Sequence, residues 1–371
     1  MLDKILVECS EYIPILRRTC RAWNESLDIL TKIDEMRKEN NLKLRLRPVL
    51  SVEKLAELGY IEIIKDSGIN KFSNRILSNM MNHAAINGHL NILILLKNWG
   101  VKKYNRAFMC AVEGGQLEAM KLLKEWGANK YRKAFKYAAR GGQLEAMKLL
   151  KEWGAMSYNN VFRHASRWGH LEAMKLLKEW GATNYNGGLA YAAENGYLGA
   201  MKLLKEWGAT DYDKALSHAA EGGQIESMKL LRDWGATDYE KALESAAESG
   251  HIEAMKLLKK WGTTEYNEPL EYAAKEGNIA AMKLLKEWGA TNYGGALNLA
   301  SREGSIEAMT LLKEYGATDY DRALAHAAYG GQIEAMNLLK EWGATNYNLA
   351  LNWAVEKDQR SAIKLIKSWI Q

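Results

Sequence analysis

One pattern of apolar and polar residues recurs along most of the chain. In Leu117–Trp126 the apolar residues lie three and four positions apart, and the polar residues cover roughly a third of the helical circumference. Gly127 follows at once, and variants of the segment return every 27 residues with Trp or Tyr at their ends. A helix that is apolar on most sides packs between neighbours, so the fixed period predicts a stack of similar units.

A second, shorter helix is predicted before each of these segments. In residues 209–235, Ala215 and Ala219 belong to an alanine-rich run that predicts close packing against neighbouring helices. Gly223 predicts the end of this helix, because glycine adopts the left-handed conformation of a helix C-terminus at little cost. We therefore predict an all-α fold of helix–turn–helix repeats.

The repeat frame divides the chain into four predicted parts. Residues 1–50 lie outside the repeat, and residues 51–73 contain a degenerate first repeat and an insertion. Ten regular repeats occupy residues 74–343, and residues 344–371 form a C-terminal capping repeat. In that last repeat Asp358 replaces a turn glycine, as expected where one face of the stack has no neighbour.

The repeat resembles the ankyrin repeat. The resemblance rests on the pattern Ala-Leu-x-x-Ala-Ala-x-x-Gly-His-Leu-Glu-Ala-Met-Lys-Leu-Leu-Lys-Glu-Trp-Gly-Ala, in which His170–Leu177 matches the second ankyrin helix. Ankyrin units have about 33 residues, and the residues missing here fall where ankyrins form a β-hairpin. The resemblance implies an ankyrin-like α-solenoid without hairpin fingers, which binds protein partners on its concave face.

Aromatic residues recur at a second repeat position. Tyr212 and its counterparts lie five residues after the Trp or Tyr that ends the preceding helix. We predict that each such pair, for example Trp207 and Tyr212, packs together and closes the side left open by the shorter loop.

The sequence contains no motif typical of catalysis or of cofactor binding. The seven histidines fall at only two repeat positions, which favours a structural role over catalysis or metal binding. Cys9, Cys20 and Cys110 show no metal-ligand spacing and indicate reduced thiols. We therefore expect no enzyme, no cofactor and no metal site.

Composition and charge narrow the choice of partners. The 371 residues carry a net charge of +6 from 51 basic and 45 acidic side chains, a balance that disfavours nucleic acid. The start of the chain lacks the order of a signal peptide, and no apolar run approaches the roughly 18 residues of a membrane span. We expect a monomeric, cytoplasmic protein that binds other proteins.

An N-terminal segment resembles a second family. The run Leu16-Arg-Arg-Thr-Cys20-Arg-Ala-Trp23-Asn resembles the centre of an F-box, a domain that docks on a Skp1-type adaptor. The resemblance implies that Leu16, Cys20 and Trp23 bind such an adaptor. The alternative is a helical cap on the open end of the repeat stack. Short ankyrin arrays with an F-box-like N-terminus resemble proteins of giant DNA viruses, which suggests the host cytoplasm or nucleus as the location.

Binding specificity is expected where the copies differ, on the exposed face of the first helices. Residues four apart share one face of a helix. The predicted partner-binding residues are basic at Arg132, Lys133, Lys136, Arg140, Arg163 and Arg167, acidic at Glu221, Glu244 and Glu248, and aromatic at Trp168.

Two functions remain open at this point. In the first, the chain recruits substrates to an SCF-type ubiquitin ligase, with an F-box-like head and a target held on the concave face of the solenoid. In the second, it is an interaction or structural scaffold without ubiquitin chemistry, and residues 1–50 act only as a cap.

Overall fold

The computed structural model describes residues 73–370 of the chain. In this range it has 22 α-helices and no β-strand, which confirms the predicted all-α fold without hairpins. The first helices of the repeats are α1 (Asn74–Ile86), α3 (Tyr104–Glu113), α5 (Tyr131–Arg140), α7 (Tyr158–Arg167), α9 (Tyr185–Glu194), α11 (Tyr212–Glu221), α13 (Tyr239–Glu248), α15 (Asn267–Lys275), α17 (Tyr293–Glu303), α19 (Tyr320–Gly330) and α21 (Tyr347–Glu356). The second helices are α2 (Leu90–Asn98), α4 (Leu117–Glu125), α6 (Leu144–Glu152), α8 (Leu171–Glu179), α10 (Leu198–Glu206), α12 (Ile225–Asp233), α14 (Ile252–Trp261), α16 (Ile279–Trp288), α18 (Ile306–Glu314), α20 (Ile333–Glu341) and α22 (Arg360–Ile370).

Glycines follow both helices of a repeat, as the pattern predicts. Gly223 comes shortly after α11 with φ of +66°, and Gly235 comes shortly after α12 with φ of +106°. These angles lie in the left-handed region, where a side chain strains the backbone. Asp358, which replaces the glycine in the last repeat, adopts the same region with φ of +51°. The sequence period is therefore also a period of backbone conformation.

Alanines form the contact layer between neighbouring first helices. Ala215 and Ala219 on α11 have no exposed surface, and α11 packs against α9 and α13. The absence of longer side chains lets these helices approach one another closely. The second helix α12 packs mainly against α11 and buries Met228 and Leu231. Full burial of an aliphatic side chain of this size contributes about 2 kcal/mol, and the contribution recurs in each repeat.

The chain divides into two compact units, one ending at Ala155 and one beginning at Met156. Of the described helices, α1 to α6 belong to the first unit and α7 to α22 to the second. Within each unit the first helices of successive repeats lie side by side, so each repeat covers the core of its neighbour. The domain boundaries predicted from the sequence stay a prediction. The F-box-like or capping segment 1–50, with Leu16, Cys20 and Trp23, lies outside the described residues.

An asparagine or aspartate early in the first helix holds the loop of the next repeat. Asp213 Oδ1 accepts hydrogen bonds from the backbone N–H groups of Thr237 and Asp238, at 2.6 and 2.9 Å. The same pair of bonds is accepted at the same repeat position by Asn105, Asn159, Asn186, Asn267 and Asp321. Asp211 caps its own helix by accepting from the Lys214 N–H. The shortened loop therefore keeps its backbone donors satisfied without a hairpin.

The repeated tyrosines pack against the aromatic end of the second helix in their own repeat. Tyr212 contacts Trp234, with ring centroids 5.7 Å apart, so the predicted pairing with Trp207 is wrong. Trp207 packs against Tyr185 instead. The two helices of a repeat run antiparallel, which brings the start of the first helix to the end of the second. The same pairing recurs with centroids 5.3 to 5.9 Å apart at Tyr104–Trp126, Tyr131–Trp153, Tyr158–Trp180, Tyr239–Trp261, Tyr266–Trp288, Tyr293–Tyr315, Tyr320–Trp342 and Tyr347–Trp369.

Basic side chains of one repeat cover the aromatic rings of the next. Lys205 Nζ lies 4.6 Å from the centroid of the Trp234 ring, and an arginine, Arg232, takes the same place over Trp261. A cation–π contact contributes about 0.5–1 kcal/mol at an exposed site. The aromatic pair thus stabilises its own repeat and also links that repeat to the one before it.

Replacing Tyr212 by alanine is expected to destabilise the second unit, because Trp234 loses its ring contact. We expect a loss of about 2–3 kcal/mol in the free energy of unfolding, below the value for a fully buried aromatic side chain. Differential scanning calorimetry of the full chain measures the change. The control is Tyr212→Phe, which keeps the ring and should change stability by less than about 0.5 kcal/mol. Identical melting of Tyr212→Ala and wild type would contradict a stabilising role for the pair.

Candidate functional site

The variable positions of the repeat lie on the solvent side of the first helices. Arg163 and Arg167 are exposed on α7, and Lys214 and Glu221 are exposed on α11. Their helices carry the buried alanines on the opposite side. Because neighbouring first helices lie side by side within a unit, residues at one repeat position form a row across that unit.

The predicted basic residues of the first unit all lie on α5. Arg132, Lys133 and Arg140 are exposed, and Lys136 is half-buried. Arg140 Nε lies 3.4 Å from the Glu113 carboxylate on α3, which partly neutralises its charge. The structure therefore places these four residues on one side of α5, and their role in binding stays a prediction.

The predicted basic residues of the second unit, Arg163 and Arg167, contact side chains of the neighbouring helix α9. Arg163 donates a hydrogen bond to the Tyr191 hydroxyl, and its guanidinium group lies 4.8 Å from the centroid of that ring. Arg167 forms an ion pair with Glu194. Trp168, directly after α7, keeps 42% of its surface exposed. Both arginines are thus engaged within the chain, which reduces the charge they present to a partner.

The predicted acidic residues belong to a larger group, which we call the acidic face and define as Glu221, Glu244, Glu248, Glu268 and Glu271. It extends over α11, α13 and α15. Lys275 Nζ lies 2.7 Å from the Glu248 carboxylate, and Lys241 forms an ion pair with Glu244. Two lysines thus pair directly with two of the five carboxylates of this face.

Burial and nearby negative charge raise the pKa values of Glu244 and Glu271 on this face. The pKa of Glu244 is raised because desolvation outweighs its ion pair with Lys241, and a hydrogen bond with Glu268 adds to the shift. The pKa of Glu271 is raised by desolvation and then by the negative charge of Glu268. A raised carboxyl pKa means that the ionised form is disfavoured there. An added positive charge would therefore be stabilised at this place.

An open groove of about 400 Å³ adjoins the acidic face between α11 and α13. Its lining is Asp211, Asp213, Lys214, Ser217, His218, Glu221, Asp238, Lys241 and Ser245. Three aspartates of this lining already accept hydrogen bonds from backbone N–H groups of a helix start or of the next loop. They are Asp211, Asp213 and Asp238. Lys214, His218 and Glu221 also line the groove, whereas Lys241 is paired with Glu244.

Sequence reasoning did not identify the partners of its own site residues. Tyr191, Glu194, Lys241 and Lys275 are these partners, and none was among the predicted binding residues. A signal was available, because Arg167 and Glu194, like Glu248 and Lys275, lie 27 residues apart. Opposite charges at one repeat period are neighbours on the stack.

The exposed charges of the second helices follow a different rule. Glu118 and Lys121 pair within α4 at 2.7 Å. The same pairing recurs at Glu145–Lys148, Glu172–Lys175, Glu226–Lys229 and Glu253–Lys256. These pairs neutralise one another and are alike from copy to copy, so this surface distinguishes one repeat from another less than the first helices do. Among residues 73–370, no helix combines the length and apolarity needed to cross a bilayer.

The raised pKa of Glu271 leads to a pH-dependent stability prediction. A carboxyl whose pKa is higher in the folded chain binds its proton more tightly there, so stability falls as pH rises through that titration. Glu271→Gln removes the charge and keeps the Oε1 acceptor for the Asn292 side chain, so it should raise the melting temperature at pH 7. The gain in melting temperature should shrink as pH falls toward 4.5, the ordinary pKa of a glutamate side chain. Scanning calorimetry of wild type and variant from pH 4 to 8 measures it.

Glu248→Gln is the matched control, because Glu248 is paired with Lys275 and its loss removes an ion pair. It should leave the melting temperature unchanged or lower at pH 7. Stabilisation by both variants would show that removal of negative charge anywhere on the face has this effect.

Part of the repeat array is similar to a known family. A family model described as ankyrin repeats, in three copies, matches residues 189–268, from α9 to α15. The crystal structure of the human ASB11 ankyrin repeat domain is 25% identical, covers 48% of this chain and 96% of its own chain, and gives a TM-score of 0.36. A search of curated proteins finds no match. Residues 189–268 are therefore similar to ankyrin repeats, and residues 73–370 are built as helix pairs without a hairpin.

Proposed function

We propose that the chain is a protein-binding scaffold whose acidic face holds a partner segment rich in lysine and arginine. Ankyrin repeats indicate a protein–protein interaction scaffold, and the acidic face lies largely within the matched residues 189–268. The observation that carries the choice of partner is the crowding of Glu244, Glu268 and Glu271, whose charges are only partly neutralised within the chain.

A cationic partner would lower the repulsion between these carboxylates. Glu244 and Glu271 are half-buried, and each loses hydration without a full compensating charge. A lysine or arginine side chain placed between such carboxylates gains Coulomb energy and lowers their repulsion at the same time. Electrostatic complementarity of this kind contributes to specificity and to the association rate.

We propose that the other predicted binding residues also contact protein partners. Trp168 is exposed enough to anchor a partner by burying its ring. Arg132, Lys133 and Lys136 are the predicted basic contacts of the first unit and suit acidic groups on a partner. A cytoplasmic location and a monomeric state belong to the same proposal.

Binding of a short peptide tests the acidic face. We expect a fluorescently labelled peptide with alternating lysine and glycine to bind the full chain and to weaken as salt is raised, because salt screens exposed charges. Combined Glu244→Gln, Glu268→Gln and Glu271→Gln should weaken binding about tenfold, if each exposed pair contributes about 0.5 kcal/mol. Fluorescence anisotropy measures both effects.

A control with the same change in net charge is available on the second helices. Combined Glu172→Gln, Glu226→Gln and Glu253→Gln removes three exposed carboxylates from the second unit, each paired with a lysine of its own helix. This variant should change the affinity by less than about twofold. Equal weakening by both triple variants would mean that the peptide responds only to net charge, and the proposal would be rejected.

A more specific role concerns the N-terminal segment. We propose that residues 1–50 dock on a Skp1-type adaptor, which would make the chain a substrate-recruiting subunit of an SCF-type ubiquitin ligase. The support is the F-box-like run with Leu16, Cys20 and Trp23. The alternative is a scaffold without a ubiquitin link, in which the segment is a cap.

Co-purification with a Skp1-type protein separates these two roles. We expect the full chain to retain the adaptor, and Trp23→Ala or Leu16→Ala to lose it while circular dichroism shows unchanged helicity. Trp168→Ala, which removes an exposed tryptophan from the repeats, should retain the adaptor. Absence of the adaptor from the wild-type complex would reject the ubiquitin-ligase role and leave the scaffold function untouched.

A further inference from the structure

A histidine and two carboxylates come together between α9 and α11. The His218 Nδ1 atom lies 3.5 Å from Glu194 Oε2 and 3.2 Å from Glu221 Oε2. All three side chains offer a ligand atom within 4.8 Å of the others. The fold does not account for this arrangement, since none of the three side chains belongs to the buried alanine layer.

The ring nitrogen at the centre of this group is the unusual feature. His218 Nδ1 is inaccessible to solvent and has no hydrogen-bond partner, although two carboxylate oxygens lie close by. A polar atom withdrawn from water without a hydrogen bond costs free energy. An ion that accepts the nitrogen lone pair and both carboxylates would satisfy this atom and the two negative charges together.

We propose that Glu194, His218 and Glu221 bind a divalent transition-metal cation, with zinc the best fit. Imidazole nitrogen and carboxylate oxygen are common zinc ligands, whereas calcium and magnesium prefer oxygen alone. Zinc–ligand bonds of about 2.0–2.1 Å place tetrahedral ligands about 3.3–3.5 Å apart. The two measured nitrogen–oxygen distances lie near that edge length. Water or a partner's side chain completes the fourth position.

The two carboxylates differ in exposure and in the contacts that hold them. Glu194 is 15% exposed, and its Oε1 accepts a hydrogen bond from Arg167, which leaves Oε2 directed toward His218. Such a bond from outside the ligand set orients a metal-binding carboxylate. Glu221 is 53% exposed, so its side chain has room to rotate and close the tetrahedron.

The repeat containing His218 is the place where the sequence assembles this ligand set. Three other histidines share its repeat position, and the residues three positions after them are not carboxylates: Ile86 after His83, Arg167 after His164 and Tyr329 after His326. At His218 that residue is Glu221, and Glu194 stands at the equivalent position one repeat earlier. This departs from the sequence-based expectation that the histidines only pack. Bound zinc would cross-link two consecutive first helices.

Zinc titration of the full chain tests the proposal. Isothermal titration calorimetry should show that wild type binds one zinc equivalent more than His218→Gln. Glu221→Gln should weaken zinc binding at this site by more than about tenfold, because even the loss of a residue that only orients a metal ligand lowers metal affinity by about tenfold or more. Zinc should also raise the melting temperature of wild type more than that of His218→Gln, because a ligand that binds the folded state stabilises it. Zinc held by cysteines elsewhere contributes equally to each protein.

The control is His326→Gln, which removes a histidine at the same repeat position where Tyr329 replaces the glutamate. It should retain the wild-type zinc stoichiometry. Equal zinc binding by wild type and His218→Gln overturns the proposal, and so does an equal loss in His326→Gln. Either result would leave Glu194, His218 and Glu221 as an ion-pair group without a metal.

Discussion

Burial of alanine between neighbouring first helices is the interaction on which the structure depends. A helix pair such as α11 and α12 buries part of its apolar surface within the pair. The rest is buried only by the neighbouring repeats. Ala215 and Ala219 become fully buried only because α9 and α13 lie beside α11. Stability within each unit is therefore the sum of similar contacts between neighbours, and a change in one repeat is felt first in the adjacent ones.

A loop too short to form a hairpin places two further demands on the repeat. Backbone donors in the shortened loop need acceptors, and Asp213 or its counterparts supply them from the preceding repeat. The aromatic end of the second helix needs cover, which Tyr212 gives from within the repeat and Lys205 from the preceding one. The cover that a β-hairpin would give is thus provided by side chains, within the repeat and between neighbours.

The same neighbour relation shapes the candidate binding surface. Charges on the second helices pair within their own helix, whereas several charges on the first helices pair with a charge on a neighbouring repeat. Variation at one position therefore creates local combinations, such as the crowded carboxylates around Glu268 or the group around His218. Diversity among nearly identical copies is how this fold acquires distinct sites without new elements.

The sequence alone determined the helices and their ends, because apolar spacing and the glycines that follow each helix are local properties of the chain. Gly223 and Gly235 follow the helices where the pattern placed them, and the helix pairs of residues 73–370 lack a hairpin, as the short period predicted. The tertiary structure decided which side chains are in contact. Tyr212 packs against Trp234 rather than Trp207, and Arg167 meets Glu194, because antiparallel helices and stacking set distances that linear spacing does not contain. Comparison of equivalent repeat positions gave the candidate residues on the exposed face. The orientation of each side chain, including the burial of His218 Nδ1 without a hydrogen-bond partner, arises only when the repeats pack.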